Sequence, residues 1–567
     1  MLLQVKYDKP TKLACLQSIY VSFPYRQDIV EIIREIPERF WDAKNKRWEL
    51  PFNSLSYLRE NLPKDEFNIE GEPVDDTKFG DKHIKEYDIP KSIKTQLYDY
   101  QKDTYNEGMT YNKYLYLLEP GLGKTVITIT TVVKRYELGQ IKRCLIIAGV
   151  NGLKYTWQQE FEKHSSYRAK ILGNRQNKKG IWEVKGNKDK LEDLENLTDE
   201  DIFLVTNVET LRDKTIFEKL KKLCDKKEIN CIVFDECHKC ASVSSQQGKA
   251  LLRLVKNIEY FYGLTGTIIM NKPLDTYVPL KCVGKEIANF TQFKSRYCIW
   301  GGFGGYEIVG YKNLPELQNK LYAVSKRLRK RDVLSLPPKV YVDEYVEMGA
   351  KQKKVYNDIQ NIIMANLDKI SAAIDPLAQL IRLRQATATT SIVSSSVNES
   401  AKFSRAKEII DELVADNKSV LVFSNWSKVI DSFEEYLKKD YKVAKITGDV
   451  KYREKEIELF NSKDCNIMIG TIGALGTGYT LTKATTVIFL DEPWTNAAKE
   501  QAEDRCYRIG TKESVNIITI MVKNTIDEYV SKIVKKKGYL SDALVDSKYD
   551  LKNENVLRFL VTGEGEI

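Results

Sequence analysis

The chain has 567 residues, 42% hydrophobic and 30% charged, so it can build several apolar cores and is not a disordered protein. Its formal net charge of +10 is compatible with a polyanionic partner but does not by itself require one. The first residues are charged where a signal peptide would be apolar, and no apolar run approaches about 20 residues, so we expect an intracellular, cytoplasmic protein without a membrane span.

Residues 1–62 are predicted to form a small α+β domain. An apolar strand spans Ile19–Phe23, and the aromatic segments around Trp41 and Trp48 predict the two arms of a hairpin with a polar turn. The next stretch is acidic and contains glycine and proline, so residues 63–90 are predicted to be a linker. Four isoleucines at helical spacing predict a helix between the strand and the hairpin: Ile29, Ile32, Ile33 and Ile36.

Two long regions alternate short β-rich apolar runs with longer amphipathic segments, which is the pattern of a parallel sheet with crossover helices. They are residues 91–283 and residues 399–545, so the sequence predicts an α/β protein with two lobes. Residues 284–398 break this rhythm with a glycine-rich piece and mostly helical segments, and we interpret them as insertions between the lobes. Residues 546–567 are predicted to be a C-terminal tail.

The apolar run LYLL leads directly into the string EPGLGKT and then into a helical segment. Gly121 and Gly123 would let backbone N–H groups wrap phosphates at the start of the helix. Lys124 would reach the β and γ phosphates, and the Thr125 hydroxyl suits Mg²⁺. Leu118 stands where the strict motif has glycine, so a tight strand-to-helix turn is the alternative to a phosphate-binding loop.

A later apolar strand, CIVF, ends in the paired acids Asp235 and Glu236. Asp235 would hold Mg²⁺ through water, and Glu236 would orient and deprotonate the attacking water. A solvated acid pair is the ordinary alternative, but a phosphate loop earlier in the same sheet favours an ATP hydrolysis site. Cys237 and Cys240 have the spacing of zinc ligands, but no second pair completes such a site, and the ten scattered cysteines favour reduced thiols.

An arginine-containing segment follows in the second lobe. Gln501, Asp504, Arg505 and Arg508 are spaced at i, i+3, i+4 and i+7, which predicts one face of a helix that ends before Gly510. Two arginines on one face are ordinarily a solvated surface. Because transition-state charge on a γ phosphate needs a delocalised cation, arginine fingers are the better interpretation in a chain with a phosphate loop.

An ordered set of strings resembles the Swi/Snf ATPases of helicase superfamily two, over about residues 91–540. The resemblance implies two tandem RecA-like parallel-sheet lobes with helical insertions, preceded here by the small α+β domain. It also implies ATP and Mg²⁺ as cofactors. The strings are YQ, GLGKT, TNVETLR, DECH, LTGT, LRKRDVLSLPPK, VFSNW, ITGD, GALGTGYTLTKA and QAEDRCYRIG.

The resemblance also implies roles for single residues. Gln101 would contact adenine. The phosphate and Mg²⁺ contacts would be those described above. The residues expected to act in hydrolysis are Lys124, Glu236, Arg505 and Arg508. Those expected to couple nucleotide state to lobe movement are Thr265, Gly266, Thr267 and Gln501. Those expected to approach DNA are Thr206, Asn207, Gly476, Thr477 and Gly478.

The N-terminal string FPYRQDIVEIIREIPERFWDAKNKRWELPF resembles the HARP-type domain of annealing helicases. Two interpretations stay open for it. It could clamp a DNA junction through Arg39, Lys44, Lys46 and Arg47, which are expected to be exposed, or it could be a folding accessory of the first lobe. The glycine-rich string WGGFGGYEIVG is predicted to be a hairpin insertion.

Together these features favour an ATP-dependent translocase on double-stranded or branched DNA that remodels or reanneals DNA or displaces bound proteins. A composition rich in lysine and asparagine points to a bacterial or phage source, and we expect a monomer. Two alternatives stay open: a strand-separating DExH helicase acting on DNA or RNA, and an ATP-gated DNA clamp with a vestigial ATPase.

Overall fold

The computed structural model of the chain divides into two compact units, which are described separately below. Unit 1 comprises Met1–Glu119 and Gly123–Leu328, and unit 2 comprises Pro120–Leu122 and Arg329–Ile567. Within the described residues, no helix is both long enough and apolar enough to cross a membrane. The structure describes residues 3–8, 18–34, 36, 39–51, 54, 58, 61, 67–70, 84–149, 153–176, 178, 182–240, 242–266, 273–286, 288–301, 307–334, 336–365, 377–450, 453–476, 481–493, 496–508, 511, 513–537 and 561–563.

Unit 1 begins with a five-stranded sheet and the helix Gln27–Arg34. Ile29 and Ile33 of the helix are buried against Val21 and Leu50 of the sheet, as the isoleucine spacing predicts. The strands are β1 (Leu3–Asp8), β2 (Ser18–Ser22), β3 (Phe40–Asp42), β4 (Arg47–Pro51) and β5 (Phe67–Glu70), in the order β3-β4-β2-β1-β5.

Strand β5 lies inside residues 63–90, so the prediction of a linker was wrong for residues 67–70. This strand pairs in parallel with β1, from Phe67 beside Leu3 to Glu70 beside Lys6. Four residues carry too little periodicity to predict a strand, and β1 supplies the hydrogen-bonding partner that defines it.

The predicted hairpin is formed by β3 and β4. Trp41 and Trp48 face each other across the strands with ring centroids 5.1 Å apart. The carboxylate of Asp42 accepts hydrogen bonds from the backbone N–H groups of Lys44 and Asn45 at 3.1 and 3.2 Å, which stabilises the turn. Arg47 is half-buried and lies 3.8 Å above the Tyr20 ring, so it is not the exposed cation that the sequence predicts.

The main sheet of unit 1 has seven strands in the order β16-β6-β13-β12-β7-β11-β8, and every neighbouring pair is parallel. This confirms the α/β fold class for the first lobe. The strands are β6 (Lys113–Leu118), β7 (Cys144–Ala148), β8 (Ala169–Ile171), β11 (Phe203–Asn207), β12 (Cys231–Asp235), β13 (Tyr260–Thr265) and β16 (Ser325–Leu328). The helices are Asp99–Thr110, Lys124–Glu137, Gln159–His164, Asn187–Glu195, Lys214–Asp225, Gln246–Val255, Tyr277–Cys282, Phe290–Tyr297 and Leu314–Tyr322.

The central strands of this sheet are apolar on both faces because helices cover both faces. Leu145 and Ile147 of β7 are fully buried, as is Phe234 of β12. Two antiparallel hairpins complete unit 1: β9 (Asn174–Gln176) with β10 (Trp182–Val184), and β14 (Cys298–Gly301) with β15 (Glu307–Tyr311). The second hairpin is the one predicted from the glycine-rich string.

Unit 2 contains a six-stranded sheet in the order β17-β22-β21-β18-β20-β19, again with parallel neighbours. The second lobe is therefore α/β, as predicted. The strands are β17 (Lys339–Val346), β18 (Ser419–Ser424), β19 (Val443–Ile446), β20 (Ile467–Thr471), β21 (Ala484–Phe489) and β22 (Val515–Val522). The helices are Lys330–Val333, Ala350–Ala365, Leu377–Ala388, Ala401–Ala415, Ser427–Leu437, Arg453–Asn461, Ile472–Leu475, Asn496–Glu503 and Ile526–Lys537.

Two strands inside residues 284–398 belong to the main sheets, so the predicted insertion region is too wide. β16 pairs with β6, and β17 pairs with β22 along its whole length. Both are edge strands that carry charged residues, so they lack the continuous apolar run of a buried parallel strand. Within the predicted tail, Val561 is fully buried and its carbonyl accepts a hydrogen bond from Gln360 Nε2 at 2.7 Å.

Candidate nucleotide site and arginine segment

The carboxyl ends of three strands meet at one edge of the unit 1 sheet. Leu117 of β6 lies opposite Thr265 of β13, and Leu264 of β13 lies opposite Asp235 of β12. Because neighbouring strands are about 4.8 Å apart, the ends of β6 and β12 are separated by roughly 10 Å. The loop after β6 and the acids after β12 are therefore brought to the same edge, as the sequence predicts.

The loop after β6 requires glycine at two positions. Gly121 has φ of 89° and Gly123 has φ of 82°, backbone conformations that residues with a Cβ rarely adopt. A Cβ on Gly123 would also lie only 2.3 Å from Gln101 Nε2. Gly123 directly precedes the helix Lys124–Glu137, whose first N–H groups are available to phosphates. The loop is thus a backbone cradle of the predicted kind.

Gln101 lies beside this loop, where the resemblance places an adenine contact. Its side chain is buried, and its Oε1 accepts a hydrogen bond from the Tyr98 backbone N–H at 3.0 Å. The rings of Tyr98 and Tyr100 stack with centroids 6.0 Å apart. Burial raises the pKa of Tyr100 to about 12, so this phenol stays neutral at physiological pH.

Lys124 is the cation of the loop. Its Nζ donates a hydrogen bond to the backbone carbonyl of Leu118 at 2.7 Å, so the ammonium is held at the loop and not in solvent. Thr125 follows on the first turn of the helix and is half-buried. Both residues therefore lie at the start of the helix that follows the glycine loop.

Asp235 has a partner that the sequence analysis missed. Trp157 is fully buried in a π-helical turn, Leu153–Gln158, and its indole Nε1–H donates to Asp235 Oδ2 at 3.1 Å. This bond fixes the orientation of the carboxylate. The signal available in the sequence was a tryptophan among polar neighbours in KYTWQQE, which suggests a buried anchor but does not identify its acceptor.

The oxygen donors at this edge fit Mg²⁺. The ion prefers carboxylate and hydroxyl oxygens, and it usually takes one or two protein ligands with phosphate and water as the others. Asp235 and Thr125 supply such oxygens. Among the described residues there is no group of three or more His, Cys, Asp or Glu side chains that could hold a metal ion.

Glu236 has φ of 53°, a left-handed backbone conformation that is strained for a residue other than glycine. His238 Nδ1 lies 3.3 Å from Glu236 Oε2 and 3.0 Å from the hydroxyl of Thr265, which is fully buried. His238 therefore links the predicted hydrolytic residue to the predicted coupling residue, a role the sequence analysis did not assign to it.

Cys237 and Cys240 belong to the hydrophobic core of unit 1. Burial raises the pKa of the Cys237 thiol well above its usual range. This environment favours neutral thiols that pack against apolar neighbours.

The arginine segment differs from its prediction. The helix Asn496–Glu503 ends before Asp504, and Arg505 and Arg508 lie in the turns that follow, so the prediction of one continuous helical face was wrong. Arg505 is only 4% exposed, which does not fit a solvated surface cation. Its Nε donates to the carbonyl of Gln501 at 3.0 Å, and Arg508 Nε donates to the carbonyl of Asp504 at 2.7 Å.

Two of the residues expected to approach DNA have buried side chains in unit 1. Thr206 is fully buried, and its hydroxyl donates to Thr210 Oγ1 at 3.1 Å. Asn207 Oδ1 accepts from Lys190 Nζ at 2.5 Å and from Thr210 Oγ1 at 2.7 Å. Their side chains thus form an internal network, because residues at the end of a buried strand must satisfy their polar groups locally.

Gly476 closes the short helix Ile472–Leu475, and a Cβ there would lie 2.2 Å from the Ile472 carbonyl oxygen. Gly266 follows Thr265 at the end of β13. Gln501 lies on the helix Asn496–Glu503, where its carbonyl accepts the Arg505 bond. Three further predicted residues, Thr267, Thr477 and Gly478, lie outside the described residues.

Comparison with known proteins identifies the family. Residues 101–392 match the SNF2-related domain, and residues 401–510 match the helicase conserved C-terminal domain. The chain is 27% identical to an uncharacterized ATP-dependent helicase of Mycoplasma pneumoniae over 85% of this chain and 46% of that protein. It is 25% identical to the DNA annealing helicase and endonuclease ZRANB3 of Bos taurus, over 81% of this chain and 41% of that protein.

A solved structure, the Sulfolobus solfataricus SWI2/SNF2 ATPase core in complex with dsDNA, is 21% identical over 85% of this chain and 100% of that chain, with a TM-score of 0.38. The chain spans less than half the length of the two curated relatives named above. The SNF2-related match covers more than half of the sequence. The chain therefore belongs to the SNF2-related family of helicase superfamily two.

Proposed function

We propose that the protein is an ATP-driven translocase on double-stranded or branched DNA, which remodels or reanneals branched DNA or displaces bound proteins. The observation that supports this most directly is the convergence, at one sheet edge, of a glycine cradle, Lys124, Asp235 and Glu236. In a member of the SNF2-related family, that set of groups is suited to phosphoryl transfer from ATP to water.

Each group has a separate task in this proposal. The loop N–H groups and Lys124 bind the phosphates, and Gln101 contacts the adenine. Thr125 and Asp235 would hold Mg²⁺, which would neutralise phosphate charge when bound. Glu236 orients the attacking water and takes its proton. Arg505 and Arg508 of unit 2 supply delocalised positive charge to the transition state.

His238 gives the hydrolytic group a connection to the coupling motif. Since its Nδ1 is within 3.3 Å of Glu236 and 3.0 Å of Thr265, a change in the hydrogen bonding of Glu236 on hydrolysis would alter the contact to Thr265. We infer that this chain of contacts communicates nucleotide state to the end of β13.

Duplex DNA is the proposed track. The net charge of +10 suits a phosphate backbone, and the annealing-helicase relative acts, by its name, on DNA. Binding through phosphates positions a motor without reading base sequence. The assignment to branched DNA depends on the N-terminal sheet and its resemblance to the HARP-type domain.

A single ATPase experiment tests the proposal. Hydrolysis is measured without nucleic acid and with single-stranded DNA, duplex, fork and RNA, for the wild type and for Lys124→Ala and Glu236→Gln. We expect duplex or fork DNA to stimulate at least as strongly as single strands. Lys124→Ala should lose nucleotide binding and turnover, whereas Glu236→Gln should bind ATP without turnover because only the group that activates water is removed.

The outcomes separate the alternatives. Stimulation mainly by single strands or RNA would favour a strand-separating DExH helicase. A wild type that binds DNA but hydrolyses no ATP would favour the clamp with a vestigial ATPase. Hydrolysis retained in both variants would refute the proposed active site.

A further inference from the structure

Four charged side chains, three of them buried and one half-buried, lie together in unit 2, and the proposed mechanism does not use them. They are Lys330, Lys339, Glu503 and Asp504, of which Lys330, Glu503 and Asp504 are 6%, 1% and 4% exposed. Lys330 Nζ donates to Asp504 Oδ1 at 2.5 Å. Lys339 Nζ donates to Glu503 Oε2 at 2.7 Å and lies 3.4 Å from Asp504 Oδ1.

The two lysines come from one stretch of the chain and the two acids from another. Lys330 begins the short helix Lys330–Val333, and Lys339 is the first residue of β17. β17 pairs with β22 along its full length, so the backbone at Lys339 is fixed by the sheet. The acids stand at the end of the helix Asn496–Glu503 and at the next residue.

The lysines hold both ends of the turn that carries the arginines. Besides Asp504, Lys330 Nζ binds the backbone carbonyl of Tyr507 at 2.8 Å. The Tyr507 ring centroid lies 5.1 Å from the Lys330 ammonium and 4.8 Å from that of Lys339. Arg505 stands between these two anchor points, and Arg508 follows directly and donates to the Asp504 carbonyl.

These contacts lie just beyond the end of the helix Asn496–Glu503. A buried carboxylate needs a cation, and Lys330 supplies one to Asp504. The same ammonium binds the Tyr507 carbonyl, so Lys330 ties together the two ends of the turn from which Arg505 projects.

We propose that Lys330 is a positioning residue that places Arg505 and Arg508 for phosphoryl transfer by holding Asp504 and the carbonyl of Tyr507. This inference rests on the proposed role of the two arginines as fingers. Lys339 has the supporting task of fixing Glu503, since it is anchored in the sheet.

The charges around Lys330 make its effect depend on pH. The groups that face it are Asp504, Lys339, Arg508 and Tyr507. Burial lowers the pKa of Lys330 to about 8, Asp504 offsets this only in part, and Lys339 and Arg508 lower it further. For Lys339, burial acts in the same direction, but two carboxylates outweigh it and raise its pKa.

The sign of the pH effect follows. A lysine with a lowered pKa is charged below that value and neutral above it, so the Lys330–Asp504 ion pair is lost as the pH rises through about 8. We expect kcat to fall over that range. In Lys330→Arg the cation persists, because arginine has a pKa above about 12, so the alkaline fall in kcat should disappear.

The experiment compares Lys330→Met and Lys330→Arg with Arg331→Met, whose arginine is the neighbouring exposed cation, with 73% of its side chain accessible. Lys330→Met should lower kcat on the order of 100-fold, because displacement of a catalytic group by about 1 Å has that effect. The KM for ATP should change by less than about twofold, because the substitution is expected to act on the position of the two arginines in the transition state. Arg331→Met should leave both constants unchanged.

Amide hydrogen exchange of residues 502–508 gives a readout that does not need turnover. It should become at least about tenfold faster in Lys330→Met than in the wild type or in Arg331→Met. If Lys330→Met fails to fold, Asp504→Asn removes the same ion pair with a change of one functional group, and the same losses are expected.

The failure of this inference can be distinguished from the failure of the proposed function. If the wild type hydrolyses no ATP, the proposed function is wrong, and hydrogen exchange alone decides whether Lys330 positions the turn. If the wild type is active, then a Lys330→Met kcat within about twofold of it, or unchanged exchange of residues 502–508, overturns the inference.

Discussion

At the level of single residues, substitution of Arg505 or Arg508 tests the proposed hydrolytic site most directly. We expect Arg505→Ala or Arg508→Ala to lower kcat on the order of 1,000-fold or more, because each removes positive charge that acts in the transition state. ATP affinity should change far less. Binding measured with a fluorescent ATP analogue and turnover measured separately give the two quantities.

A matched control is Arg253→Ala, an exposed arginine with 57% of its side chain accessible in unit 1. It should leave kcat and ATP affinity unchanged. If Arg505→Ala and Arg508→Ala resemble this control, the arginine segment has a structural role only.

Trp157 offers a test of the Mg²⁺ ligand. Trp157→Phe keeps an aromatic ring in the buried position but removes the N–H that donates to Asp235 Oδ2 at 3.1 Å. Loss of such an orienting hydrogen bond typically costs about 10-fold or more in metal affinity or activity. We therefore expect the Mg²⁺ concentration for half-maximal ATPase activity to rise by about that factor.

The control for this substitution is Trp182→Phe, which changes an indole that is 53% exposed. The Mg²⁺ requirement of this variant should equal that of the wild type. An unchanged requirement in Trp157→Phe as well would show that Asp235 does not depend on its indole partner.

At the level of secondary-structure elements, strand pairing in the N-terminal sheet determines which residues a deletion should remove. Removing residues 1–62 would leave β5 without β1, its parallel partner, and would expose an unpaired strand. Removing residues 1–83 takes away the whole five-stranded sheet. Since every proposed hydrolytic residue lies beyond residue 100, this deletion should retain basal ATPase activity.

The same deletion should weaken binding to branched DNA. The hairpin presents an exposed Trp41, 45% accessible, together with the exposed cations Lys44 and Lys46, groups that can contact bases and phosphates. Affinity for a fork and for a plain duplex is measured for the full chain and for the deletion. An insoluble deletion variant would favour the alternative that this domain is a folding accessory. If the deletion variant binds a fork as tightly as the full chain does, the junction-clamp interpretation is wrong.

At the level of the whole molecule, the prediction concerns what the motor does to its track. A motor that grips phosphates steps along an intact duplex, so the wild type should displace the third strand of a triplex when ATP is present. Lys124→Ala should not. A simple forked duplex should not be unwound, and its efficient unwinding without triplex displacement would favour a DExH helicase.

A second prediction for the whole molecule concerns how its affinity for DNA depends on salt concentration. If binding is mainly electrostatic, the logarithm of the affinity should fall linearly with the logarithm of the salt concentration, and steeply between about 50 and 200 mM. Titrations at several salt concentrations give this slope for duplexes of different sequence. The slope should be the same for each duplex, because phosphate contacts carry no base information.

The sequence by itself determined the parts of this protein that depend on local patterns. The phosphate loop, with Gly121 and Gly123 before a helix, is recognisable because the turn needs glycine and the helix start binds anions. The paired acids after β12 and the hairpin of Trp41 and Trp48 are local patterns of the same kind. Parallel topology then requires the carboxyl ends of β6 and β12 to lie at one edge of the sheet.

Only the tertiary structure decided which distant groups meet. Trp157 and Asp235 are 78 residues apart in sequence, and Lys330 and Asp504 are 174 apart. Helical periodicity predicts that Arg505 and Arg508 continue a helix, whereas the helix ends at Glu503 and the next residue, Asp504, pairs with Lys330. Thr206 and Asn207 are likewise satisfied by Lys190 and Thr210 in the interior. The physical reason is that a buried polar or charged group must find a partner, and periodicity in sequence does not encode which partner burial will bring to it.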